Sequence, residues 1–226
     1  MLDIVLMIAW SIWRNRNEVR HGGRKLTAAA IYGLATRLLE EYSAVQESPI
    51  QPQGNSIGSN KRNPPPIGWY KVNTDGAVFS KHKWTGIGVV ARDDQGRVVA
   101  AMSKKLMLPL GALEVEAKAL EVAAVFARDI AIQKVVFESD NLLVYSAIQG
   151  VTEPPTTIAN IISGINQYMS QLHHVEVQHT RREGNKAAHG LAQYAQYVDD
   201  YVTWMEETPT IIESAVASDV NQLIQT

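Results

Sequence analysis

The stretch VNTDGA, Val72–Ala77, reads as a strand that carries an aspartate directly before a glycine. Asp75-Gly76 has two readings. Asp-Gly is among the commonest turn dipeptides, which would end the strand there. A carboxylate placed on a sheet can also hold a metal ion. On these six residues alone the turn is favoured, and the rest of the chain decides. In WYKVNTD, Tyr70, Val72 and Thr74 fall on one face and Lys71, Asn73 and Asp75 on the other. Downstream, WTGIGVVAR is a second strand, DDQG a turn and RVVAAMSKKL a third, which together make an antiparallel meander.

The pattern then changes. ALEVEAKALEVAAVFARD reads as a helix, KVVFESD as a strand and NLLVYSAIQG as a helix. TTIANIISGINQYMSQL is a further helix, HVEVQHT a strand and NKAAHGLAQYAQYV a helix. Three strands followed by alternating helices and strands predict an α/β fold: a mixed five-stranded sheet flanked by helices. This domain spans 69–205. Before it, 1–47 reads as a helical extension of two helices, Leu2–Val19 and Leu26–Glu47, the second with Ile31, Leu34, Leu38, Tyr42 and Val45 at helical spacing. The Pro-, Gly-, Ser- and Asn-rich stretch 48–68 reads as a linker, and 206–226 as a tail that packs briefly and ends in a loose helix.

Of 226 residues, 46% are hydrophobic and 19% charged, enough for a real core. The net charge of −2 gives no broad basic field, so a nucleic-acid partner has to be held by local charge or by metal ions. There is no cysteine, which excludes disulfides, thiolate metal sites and a cysteine nucleophile. The apolar start MLDIVLMIAWSIW is interrupted by Asp3, is shorter than a bilayer span and lacks a basic segment before it. The expectation is an intracellular protein, nuclear or cytoplasmic, neither secreted nor membrane-bound.

On the helix 113–129, Glu114, Lys118, Glu121, Arg128 and Asp129 share one side, with Glu114 and Lys118 spaced for an ion pair. Val115, Ala119, Leu120, Ala123, Phe126 and Ala127 share the other, and Glu116 lies in the middle of it. A buried carboxylate takes up a proton or meets a cation. Asp140 ends a strand; Ser139 or Asp140 is placed to cap the next helix, but ligands in such sheets gather at the carboxyl ends of parallel strands. Asp75, Glu116 and Asp140 therefore sit on three elements able to converge. Carboxylates without Cys or paired His suit Mg²⁺ or Mn²⁺ and not Zn²⁺, and two such ions can clamp a phosphodiester. Gly86 and Gly88 form a lone G-x-G on a strand, which reads as room for close backbone approach. Asn185 reads most simply as a helix cap.

KVNTDGA, GIGVVARDDQG, VEAKAL, FESDNLLV and HTRREGNKAAHGLA occur in the order and spacing found in ribonuclease H type 1 domains. Over about Trp69–Tyr201 the chain resembles the plant reverse-transcriptase-like, retrotransposon-derived subfamily; WSIWRNRNEVRHGG also resembles the segment that precedes the domain there. The resemblance implies a ribonuclease H-like fold and an endonuclease that cleaves the RNA strand of RNA/DNA hybrids with two Mg²⁺ ions, Mn²⁺ being a possible substitute. It makes Asp75, Glu116 and Asp140 metal ligands and His179 the histidine that assists departure of the leaving group or product. His189 stands where the family has a fourth metal-binding acid, so it is a candidate ligand and also the mark of an impaired site, in which case the chain is a nucleic-acid-binding remnant of a polyprotein. Arg181 and Arg182 are candidate phosphate contacts, and Asn185 is a further candidate nucleic-acid contact. AVFSKHKW lacks the expected phosphate-pocket asparagine, and no basic protrusion is present.

Overall fold

The computed structural model describes residues 4–5, 7–9, 11–12, 15–16, 25–33, 35–36 and 64–224, with side chains to 219. The chain forms two compact units, Met1–Ser59 and Asn60–Thr226. In the first, the described residues between 4 and 16 are helical, and a second helical segment begins at Ala28. There the Thr27 hydroxyl accepts from the Ala30 N–H at 3.3 Å. The stretch 37–63, for which the sequence predicts the rest of the second helix and most of the linker, lies outside the described residues. No helix among the described residues is long and apolar enough to cross a membrane.

The second unit is built on a six-stranded mixed sheet. Its strands are β1 (Tyr70–Phe79), β2 (Trp84–Arg92), β3 (Val98–Leu106), β4 (Lys134–Ser139), β5 (His174–His179) and β6 (Tyr201–Met205), and its helices α1 (Ala112–Asp129), α2 (Leu142–Ile148), α3 (Ala159–Met169), α4 (Lys186–Tyr194) and α5 (Glu213–Ile224). The sheet order is β5-β4-β1-β2-β3-β6. β1 pairs parallel with β4, and β4 with β5, while β1-β2, β2-β3 and β3-β6 are antiparallel.

Asp75-Gly76 is therefore not a turn. β1 runs through it to Phe79, with Asp75 opposite Gly88 and Gly76 opposite Ile87. Nine consecutive partners on β2 outweigh the local preference of the dipeptide. The turn that DDQG predicts is present: Asp93 Oδ1 accepts from the Gln95 and Arg97 N–H groups, and Gly96 has φ +80°, a value only glycine adopts freely.

One face of the sheet carries the larger core, where Val72, Ile87, Val89, Val135 and Phe137 pack with Val115, Leu120 and Phe126 of α1 and Ile162 and Ile165 of α3. On the other face Val90, Val98 and Ala101 pack with Ala187, Ala188 and Leu191 of α4. The sequence reading is corrected at the C-terminus. YVTWM forms a sixth strand on β3, with alternating half-buried Val202 and Trp204 and exposed Tyr201 and Met205. After 205, Ile212 and Val216 are buried in the second core, and the Arg92 guanidinium donates to Asp219 of α5 at 2.9 Å.

Candidate metal centre

Three elements deliver one carboxylate each to the carboxyl end of the parallel strands. Asp75 comes from β1, Glu116 from the first turns of α1 and Asp140 from the residue after β4. Among the described residues these three form a cluster in which one ligand oxygen from each lies within 4.8 Å of the others. They belong to three distant stretches of chain, so the fold alone brings them together.

Three glycines set the distances. A Cβ on Gly76 would stand 2.8 Å from Val115 Cγ1 and 2.9 Å from the Val115 carbonyl carbon, so α1 rests on bare backbone at that point. Val115 precedes Glu116, and the close approach lets the Gly76 N–H donate to the Glu116 carboxylate. On the opposite face a Cβ on Gly88 would stand 2.1 Å from the Ala188 carbonyl, and one on Gly86 2.3 Å from that of Ala192. The close approach predicted for this glycine pair is thus a helix-on-sheet contact, and it holds α4 down so that His189 faces Asp75. His189 Nδ1 lies 2.9 Å from Asp75 Oδ2. The imidazole is 62% exposed and the Asp75 side chain 7% exposed, so His189 forms an open wall of the site and Asp75 its floor. His189 does not belong to the converging carboxylate group.

The acids are in an unusual electrostatic state. Burial, reinforced by the charges of Asp75 and Asp140, pushes Glu116 up to about 9, against which the Gly76 N–H and Arg182 act weakly. Burial also pushes Asp75 up to about 6, with Asp140 adding to the shift and the His189 hydrogen bond opposing it. Glu116 Oε2 is buried with no hydrogen-bond partner among the described residues. An orphaned carboxylate oxygen beside two other acids costs free energy that a divalent cation removes. All the donors are oxygens, which suits Mg²⁺ or Mn²⁺.

Why Asp140 and not Glu138 joins the cluster follows from pairing. Glu138 lies on β4 and Asp140 just past its end, but the Lys71 ammonium binds Glu138 Oε1 at 2.6 Å and the Asn73 amide donates to Oε2 at 2.8 Å. This buried network neutralises Glu138 and holds β4 against β1. Sequence reasoning missed it; the signal was Lys71 and Asn73 on the same face as Asp75. Capping of α2 also differs from expectation. Asn141, not Ser139 or Asp140, accepts from the Leu143 and Val144 N–H groups, each at 3.1 Å, which leaves the Asp140 carboxylate for the site.

The remaining candidates surround the cluster. His179 is exposed at the end of β5, with Nε2 3.2 Å from the Asp140 carbonyl oxygen. Arg182 is 93% exposed, and its Nε lies 3.7 Å from Asp140 Oδ2. Arg181 is exposed in the same loop. Asn185 stands at the N-cap position of α4, as expected. It makes no side-chain cap, and it is 2% exposed, so it is closed to nucleic acid. Its amide donates to the Thr74 carbonyl at 2.8 Å and lies 3.5 Å from Asp140 Oδ1. Glu114 forms no pair with Lys118; Lys118 binds Glu121 instead. Beyond Asp75 the β1-β2 hairpin ends in exposed Lys81, His82 and Lys83, with Lys105 4.6 Å above the Trp84 ring, a basic tip.

The family model described as reverse transcriptase-like matches residues 73–195, more than half of the chain. No curated protein sequence matches. Two solved structures share the fold. RNase H1 from the halophilic archaeon Halobacterium salinarum is 19% identical, with a TM-score of 0.54 over 57% of this chain and 98% of that one. The N-terminal RNase H domain of a Mycobacterium tuberculosis protein, solved as a fusion with maltose-binding protein, is 18% identical, with a TM-score of 0.52 over 57% of this chain and 94% of that one. With its mixed sheet, its converging acids and this match, the chain belongs to the reverse transcriptase-like family and carries a ribonuclease H-like fold.

Proposed function

We propose that the protein is an endonuclease that hydrolyses the RNA strand of RNA/DNA hybrids, using Mg²⁺ or Mn²⁺ held by Asp75, Glu116 and Asp140. The observation that carries this reading is the buried, unpartnered Glu116 oxygen within a three-carboxylate cluster at the carboxyl end of β1 and β4. A divalent ion bound there supplies Lewis acidity toward a phosphoryl oxygen and a water of lowered pKa. The oxygen of water bonds to phosphorus as the P–O3′ bond breaks, leaving a 5′ phosphate and a 3′ hydroxyl. The three acids would hold and orient that ion, against which the reacting phosphate would rest. His179 stands at the rim, anchored toward the Asp140 carbonyl, where its ring can hand a proton to the departing 3′ oxygen. Arg181, Arg182 and the basic hairpin tip supply local positive charge for the nucleic-acid backbone in a chain of net charge −2. RNA is distinguished from DNA through its 2′-hydroxyls.

The two-ion form of this chemistry calls for a fourth acid, and His189 stands at its place. That residue favours a second reading, in which the domain binds hybrids and cleaves them poorly or not at all. Purified protein incubated with end-labelled RNA/DNA hybrid, double-stranded RNA and double-stranded DNA tests both. RNA-strand cleavage confined to the hybrid supports the first reading, hybrid binding without cleavage in either metal supports the second, and cleavage of double-stranded DNA contradicts both.

A further inference from the structure

We infer that the site holds one divalent ion and not two, with the His189 imidazole, hydrogen-bonded to Asp75, standing where a second ion would lie. The inference rests on the metal-site reading above. Among the described residues the converging ligand atoms belong to Asp75, Glu116 and Asp140 alone, which is a ligand set for one ion. A second ion beside it would have to share one of these acids, and Asp75 is the one that faces His189 of α4. Asp75 Oδ2, however, is already 2.9 Å from His189 Nδ1. The contact is fixed from the backbone side, because the Ala188 carbonyl sits against Gly88 and α4 cannot shift along the sheet without losing that fit.

Charge points the same way. Three ionised carboxylates bring −3, and one divalent ion leaves −1, which the Arg182 guanidinium 3.7 Å from Asp140 offsets. Two ions would bring +4 against −3 in a partly buried site, with Arg182 adding to the excess. A neutral imidazole offers no negative charge to balance it, whereas a carboxylate at 189 would. His189 is therefore a positioning residue that holds Asp75 Oδ2, and not a metal ligand.

The test uses Mn²⁺ alone on the full chain without nucleic acid, so no readout depends on cleavage. Calorimetric titration should give one Mn²⁺ per chain for the wild type and for His189→Ala, and two for His189→Asp. The paramagnetic resonance spectrum of the wild-type complex should be that of an isolated ion, with no directly bound ¹⁴N in its echo modulation; that of His189→Asp should show two coupled ions. Two ions in the wild type, a bound nitrogen, or a single ion in a folded His189→Asp would each overturn the inference. Failure of the wild type to bind any Mn²⁺ would instead remove the metal-site reading beneath it. Because the His189 side chain is 62% exposed, neither substitution disturbs the core.

Discussion

The Asn185 amide joins Thr74 to Asp140: it donates to the Thr74 carbonyl at 2.8 Å and reaches Asp140 Oδ1 at 3.5 Å. One buried side chain on the lip of α4 thereby ties β1, immediately before Asp75, to the acid that follows β4. Asn185→Ala leaves the buried Thr74 carbonyl without this donor, which should cost about 1–3 kcal/mol in denaturant unfolding. Mn²⁺ affinity should fall as Asp140 loses its anchor. Unchanged stability together with unchanged Mn²⁺ affinity would show that this clamp is idle.

Asp75→Asn and Asp140→Asn should each abolish hybrid cleavage and leave the fold intact. Removing one of several like charges from a crowded site relieves repulsion. The melting temperature without metal should therefore stay equal or rise, and the stabilisation that added Mg²⁺ gives the wild type should vanish. Cleavage at the wild-type rate in either variant would end the assignment of the cluster.

Glu116 makes a prediction with a definite sign. Its carboxyl is raised from 4.5 to about 9, so at neutral pH the metal-free protein holds a proton there. Because the folded-state value is the higher one, the associated stability is fully present below about pH 4.5 and is lost as pH rises toward 9. Without metal, Glu116→Gln should flatten the decline of melting temperature across that window. Mg²⁺ binding to the wild type at neutral pH should release a proton and strengthen as pH rises, seen as buffer-dependent heats in calorimetry. A variant that melts with the wild-type pH profile would contradict the burial of this carboxyl. Glu114→Gln, on the opposite side of α1, should be nearly silent in cleavage.

The three acids were legible because each broke a local pattern. Asp75 stood on a strand face, Glu116 in an apolar helix stripe and Asp140 at a strand end, and the order of the motifs supplied the fold. What stayed hidden is what pairs with what across the chain. Lys71 and Asn73 read as one polar face until β4 lies beside them and Glu138 comes within reach. Asn185 has the sequence position of a cap, but its amide is drawn inward by a carbonyl 111 residues away. The edge strand β6 is five residues long and is recognised only through its partner β3. Contacts at such separations are decided by the completed sheet and not by the neighbouring residues.

His179→Ala should slow turnover with little change in hybrid affinity, since the exposed ring acts on the leaving group and not on ground-state binding. Steady-state kinetics beside a binding titration reads both quantities. A large loss of affinity with unchanged turnover would place His179 among the substrate contacts instead.

The most direct measurement of the central claim is cleavage of an end-labelled RNA/DNA hybrid by the wild type, Asp140→Asn and His189→Asp across a titration of Mg²⁺ and of Mn²⁺. The predicted result is RNA-strand cleavage by the wild type that is weak in Mg²⁺ and stronger in Mn²⁺, none by Asp140→Asn, and a gain in Mg²⁺ for His189→Asp. A carboxylate gained at 189 should be worth on the order of 1–3 kcal/mol, about tenfold to a hundredfold in metal affinity. Superimposed curves for the wild type and His189→Asp would contradict the role given to His189. Absence of cleavage by both in either metal would contradict the hydrolytic reading and leave a domain that only binds.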